Sequence, residues 1–79
     1  MTSRDNSPFA ANLRFACNTR PSITAICREI GINRQQFNRY LAGQSRPSPY
    51  NTGKIARYFG LKPQDFLASE KRFQSILEA

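Results

Sequence analysis

The chain is expected to fold as an all-α bundle of short helices, and three observations point there. Apolar residues return every three to four positions along most of its 79 residues, which is the spacing of one helical face. Serine, asparagine and proline stand where such stretches begin, and Gly31, Gly43 and Gly60 stand where they end. No segment sustains the apolar–polar alternation of a half-buried strand, and β-branched residues are scattered.

Residues 1–6 are polar and are expected to be loose. The first helix is placed at about 8–18, with Ser7 as cap and Pro8 at the first helical position. Its apolar stripe is Phe9, Leu13, Ala16 and Cys17, at i, i+4, i+7 and i+8. Pro21 breaks the chain. Ser22 caps a second helix that turns Ile26, Cys27 and Ile30 inward and stops at Gly31. After the Gly31-Ile32-Asn33 bend, Asn33 caps a third helix at 34–42, with Phe37, Tyr40 and Leu41 on its inner face and Gly43 as its stop.

Residues 44–47 form a connector. Ser48-Pro49 repeats the serine-cap and proline start, opening a fourth helix that runs to about 59, with Ile55, Ala56 and Phe59 inward. Gly53 inside it costs about 1 kcal/mol relative to alanine, and marks either close backbone packing or simple tolerance. Pro63 opens a fifth helix, with Asp65 in its first turn and Phe66 and Leu67 pointing inward. A sixth helix from about 70 carries Phe73, Ile76 and Leu77. The whole reads as a single domain over 1–79.

Size and charge narrow the function. A domain this small buries only about 60% of its unfolded surface, so its core must be compact. Twelve Lys and Arg against five Asp and Glu leave a formal charge of +7, a balance that favours a polyanionic partner. No apolar run approaches the roughly 20 residues of a membrane span. The N-terminus lacks the apolar core of a signal peptide. No segment combines amphipathicity with a Lys-rich face. The expected location is the cytoplasm, with no membrane partner. Cys17 and Cys27 make no disulfide framework and both lie on apolar stripes, so they are read as small buried hydrophobes. With no histidine, no close cysteine pair and no acidic cluster, neither metal nor cofactor is expected.

The stretch 22–43 carries the functional signal: two short helices joined by a tight bend. With Phe37, Tyr40 and Leu41 turned to the core, the opposite face of the third helix holds Gln35, Asn38, Arg39 and Ala42. Gln36 lies at the flank and Arg34 in the first turn. A major groove about 12 Å wide admits such a helix, and in it glutamine can pair with adenine and arginine with guanine. Ala42 is small enough to let the far end lie close to DNA. The helix carries no acid. Arg20, the N-terminal end of the second helix with Ser22, and Arg46 in the connector are candidates for phosphate contacts. Arg28, Arg57 and Lys62 are read as solvated.

The ordered set Ser22, Ile26, Gly31, Ile32-Asn33, Phe37, Gly43, Pro47, Ile55-Ala56, Phe59-Gly60-Leu61 and Phe66-Leu67 resembles the Cro/phage-repressor family of helix-turn-helix domains, the XRE-type, lambda-repressor-like fold. The resemblance runs from about Phe9 to Leu67. It implies a five-helix core, here followed by a sixth helix, with the second and third helices as the DNA-reading unit. It puts base-reading positions on Arg34, Gln35, Gln36 and Arg39, to which the residue reading adds Asn38. It puts phosphate contacts near Ser22 and on 44–46, so the candidate set is Arg20, Ser22, Asn33, Ser45 and Arg46. It also implies a regulator that binds an operator as a dimer.

Three departures from the family pattern involve four positions. Ile23 stands where members often carry a phosphate-holding glutamine. Cys27 stands where many have alanine at the crossing of the two helices. Cys17 and Leu41 look like the places of a buried arginine–glutamate pair, replaced together so that neither charge is stranded.

The leading expectation is therefore a sequence-specific regulator of double-stranded DNA. The sixth helix, with Phe73, Ile76 and Leu77, is a candidate dimer interface, the alternative being packing onto its own core. No helix-stop signal precedes Ala79, and a longer natural protein with a sensing or dimerising domain is expected. A helical protein-interaction module, or an antitoxin-like partner binder, is the alternative. Protein interfaces usually centre on aromatic anchors, which the third helix does not offer outward. An enzyme lacks a histidine base, a carboxylate pair in a cleft, and a phosphate-cradling loop. RNA binding lacks an aromatic stacking platform.

Overall fold

The computed structural model describes residues 8–78. In chain order it contains α1 (Phe9–Cys17), α2 (Ile23–Ile30), α3 (Arg34–Ala42), α4 (Pro49–Phe59), a 3₁₀ turn (Pro63–Leu67) and α5 (Glu70–Glu78). The all-α class and the order of elements agree with the sequence reading. Ser7 lies outside the described residues, and Pro8 precedes the first helical residue rather than occupying it.

Local chemistry sets the boundaries. The Ser22 hydroxyl accepts from the Ala25 N–H at 3.0 Å, and the Ser48 hydroxyl from the Asn51 N–H at 3.2 Å. Each supplies an acceptor for a first-turn donor that has no helical partner. The Ser69 hydroxyl does the same for Arg72 at 3.2 Å, a cap that opens α5. Gly31 closes α2 with φ +72°. A side chain there would meet only ordinary contact, Lys54 Nζ at 3.7 Å, so the left-handed backbone alone makes glycine the suitable residue.

One core joins the elements. α1 packs against α3, α5 and the 3₁₀ turn, while α2 packs against α3 and α4. Phe66 sits at the centre of an aromatic chain, with ring centroids 5.7 Å from Phe9, 6.2 Å from Phe59 and 5.0 Å from Phe73. Asn12 is the one buried polar side chain among the described residues, and it donates to the carbonyls of Phe66 and Ala68. Its place on α1, three residues after Phe9, is on the apolar stripe, and sequence reasoning passed over it.

Two expectations need correction, and one alternative is decided. The expected fifth helix is a 3₁₀ turn. Leu67, expected inward, is 49% exposed: a single turn at three residues per turn offers one position facing the core, and Phe66 occupies it. Phe73, a candidate dimer contact with packing onto its own core as the alternative, takes the alternative and is fully buried. It lies between Phe66 and Phe15, the latter at 6.3 Å. Packing α5 back onto α1 is what withdraws Phe73 from the apolar stripe. Ile76 and Leu77 remain half-buried.

Candidate nucleic-acid interface

The unit that presents α3 begins at Asn33. Its side-chain oxygen accepts from the backbone N–H groups of Gln35 at 2.8 Å and Gln36 at 3.3 Å. Behind α3, Phe37 is fully buried and Tyr40 is 2% exposed, their rings meeting edge to face at 6.3 Å. The Tyr40 hydroxyl accepts from Asn51 Nδ2 at 3.1 Å, tying α3 to α4. Arg14 of α1 donates to the Leu41 carbonyl, tying the other end of α3 to the first helix. Leu41 packs half-buried against the core. α3 is thus held from behind by two aromatic rings and from the sides by two hydrogen bonds.

The expected base-reading residues come together on the outer surface of this helix. Arg34, Gln35, Asn38 and Arg39 are exposed, and Gln36 is half-buried. Arg34 donates through a guanidinium N–H to the Thr24 hydroxyl of α2. Gln36 Nε2 lies 3.5 Å from Ser45 Oγ in the connector. Among the described residues the side chains of Gln35, Asn38 and Arg39 take no hydrogen-bond partner.

The expected phosphate-facing residues occupy several distinct places. Ser22 uses its oxygen to cap α2, which leaves the hydroxyl hydrogen as a donor. Asn33 uses its oxygen to cap α3, which leaves its amide N–H groups. Arg20 is stacked on the end of α4, its guanidinium carbon 5.2 Å from the ring centroids of both Tyr58 and Phe59. Arg46 lies over Phe9 at 5.3 Å. Ring faces attract a cation and fix its position without neutralising it. No acidic residue stands in the first turn of α2, α3 or α4, so the positive dipole ends of these helices are uncompensated there. Arg28, Arg57 and Lys62 are exposed, as expected of solvated charges.

Both cysteines are buried and reduced. Burial pushes the Cys17 thiol up to about 12; the neighbouring Cys27 adds to the rise and the Arg20 guanidinium opposes it. Burial also raises Cys27, against the opposing charge of Arg34. Neither is a thiolate nucleophile at neutral pH. No group of residues among those described could hold a metal ion, and no described helix is long and apolar enough to cross a membrane.

Sequence reasoning missed Thr24, Arg14 and Asn51, whose partners lie 10, 27 and 11 residues away in the chain. Only the packing of α1, α2 and α4 around α3 brings them to it, and no periodicity signals such pairs.

A relative from Bacillus subtilis (strain 168), described as the uncharacterized HTH-type transcriptional regulator YvzC, is 34% identical over 53 residues, covering 67% of this chain and 69% of its own. No solved structure matches the chain. The family model of the Cro/C1-type HTH DNA-binding domain matches residues 19–71, a span that holds α2, the capped bend, α3, α4 and the 3₁₀ turn. The chain therefore belongs to the Cro/C1-type helix-turn-helix family of DNA-binding domains.

Proposed function

We propose that this chain is a transcription regulator that binds double-stranded DNA sequence-specifically by laying α3 in the major groove. The observation that carries the reading is how α3 is mounted. Its inner face is locked by Phe37 and Tyr40, and its outer face is polar, acid-free and rigidly presented. Glutamine and asparagine can each pair with adenine through two bonds, and arginine with guanine. The recognition set that α3 offers to the groove is Arg34, Gln35, Gln36, Asn38 and Arg39.

Arg20, Ser22, Asn33, Ser45 and Arg46 supply phosphate contacts, and those contacts supply most of the affinity. The protein works in the cytoplasm and pairs into a homodimer on DNA. The dimer sets two recognition helices about 34 Å apart on one face of the duplex.

Selection of bound sequences from a pool of random duplexes tests this. The expected result is one short preferred half-site, repeated with two-fold symmetry at about one helical turn. A bound pool as random as the input would overturn sequence-specific reading.

A further inference from the structure

The five side chains on the outer part of α3 are not held alike. At about 100° per residue, Gln35, Asn38 and Arg39 fall within one ridge, an arc about 100° wide, and Arg34 and Gln36 border it, about 40° beyond Asn38 and about 60° beyond Arg39. Those two flanking residues are the ones with partners inside the protein. Arg34 is bonded to Thr24 of α2. Gln36 is half-buried and reaches Ser45 of the connector. The three ridge side chains are exposed and take no hydrogen-bond partner among the described residues.

A helix lying in a groove about 12 Å wide turns its ridge to the base edges on the floor and its flanks to the sugar–phosphate walls. A flank side chain that is already bonded to its own protein loses that bond if it swings to a base. A ridge side chain loses no internal bond by reaching one.

We infer that base choice is carried by Gln35, Asn38 and Arg39 alone, and that Arg34 and Gln36 are positioning residues. Resting on the DNA-reading function proposed above, this divides its recognition set in two. Arg34 braces α3 against α2 through Thr24. Gln36 braces it against the connector through Ser45. Together they set the height and tilt at which the ridge meets the bases. The Thr24–Arg34 brace also links the first turns of the two helices where Ile23 leaves no polar side chain to do so.

The test measures affinity for the selected half-site and for every single base-pair change within it. Thr24→Val removes the hydroxyl that holds Arg34 while leaving the guanidinium in place. Thr24→Val and Arg34→Ala are each expected to weaken binding roughly twofold to tenfold, by the same factor on every duplex. The double variant is expected to lose no more than Arg34→Ala alone. Ser45→Ala is expected to act as uniformly as Thr24→Val. Gln35→Ala, Asn38→Ala and Arg39→Ala are each expected to erase preference at one or two adjacent base pairs, by about 5- to 150-fold.

Thr24 and Ser45 lie outside the core, and circular dichroism and melting temperature confirm that each variant stays folded. Selective loss at one base pair in Arg34→Ala, with Thr24→Val showing no such loss, would overturn the division while leaving DNA reading intact. A wild-type protein with equal affinity for every duplex would overturn the parent reading itself.

Discussion

Asn12 in α1 donates through Nδ2 to the carbonyl of Phe66 in the 3₁₀ turn, 2.9 Å away across 54 residues of chain. A second bond from the same nitrogen reaches Ala68 at 2.8 Å. The turn is too short to satisfy these carbonyls within itself, and the buried amide completes it. Asn12→Ala removes both donors and leaves a buried carbonyl unsatisfied, at a cost of about 2–4 kcal/mol. Asn12→Asp replaces the donor with a buried charge and should be worse. Urea unfolding at neutral pH measures both. A loss below about 0.5 kcal/mol for Asn12→Ala would mean that water replaces the amide without cost.

Two glycines, one inside a helix and one at a helix end, should respond to alanine in opposite directions. Gly53 lies within α4, and a Cβ there would meet nothing within 4 Å, so the sequence-level alternative of close backbone packing falls away. Gly53→Ala should stabilise the fold by about 1 kcal/mol through helix propensity. Gly31→Ala should cost about 1–2 kcal/mol, because φ +72° is a left-handed conformation that an L-residue with a Cβ resists. Thermal melting of the two variants should move in opposite directions.

The charge distribution predicts a salt dependence. If about 4–6 phosphates are neutralised per domain, the slope of log K against log salt should be about −4 to −5. Arg20→Ala and Arg46→Ala should each make that slope shallower by about 1 while leaving base preference unchanged. Both arginines lie on aromatic rings, so a lysine at either place restores charge without the planar stack and should recover the slope more fully than the affinity. An unchanged slope in Arg46→Ala would remove that residue from the phosphate contacts.

Alkaline pH should weaken the fold through the cysteines. Cys17 holds its proton up to about 12 in the native state, against an ordinary value of 9.0, because burial disfavours the thiolate. The unfolded chain releases that proton first. The stabilising contribution is therefore fully present below pH 9.0 and declines as pH rises toward about 12, by up to about 1.4 kcal/mol per pH unit. Cys27 shifts in the same direction and adds to the decline. Comparing urea midpoints of wild type and Cys17→Ala from pH 7 to 10.5 isolates this effect from the titration of lysines and tyrosines. Parallel pH profiles for the two proteins would refute it.

What the sequence revealed and what it hid follow from the range of the interactions. Ser22, Asn33 and Ser48 could be recognised as caps because a cap acts within three residues. Phe37 and Tyr40 could be placed inward because helical spacing alone separates them from Gln35 and Arg39. A proline start and an acidic first turn suit an α-helix and a 3₁₀ turn alike, so the sequence does not separate the two at 63–67, and the side on which Leu67 falls depends on that choice. The braces from Thr24, Arg14 and Asn12 join residues distant in the chain, so they exist only once the helices have packed. The same packing determines that Arg34 and Gln36 are held and that Gln35, Asn38 and Arg39 are not.

α5 separates a folding role from an association role within three apolar residues. Phe73 is fully buried between Phe15 and Phe66, so Phe73→Ala should cost about 3–5 kcal/mol as a core truncation, independent of protein concentration. Ile76 is half-buried, and Leu77 rests on the edge of the core with part of its surface left outside. For a homodimer paired through this helix, Ile76→Ser should shift sedimentation of the free protein toward monomer while changing the unfolding midpoint of the monomer by less than about 1 kcal/mol. It should also reduce cooperative binding to a two-half-site duplex while leaving affinity for a single half-site unchanged. Equal sedimentation of wild type and Ile76→Ser, with the wild type dimeric, would place the pairing surface elsewhere on the domain.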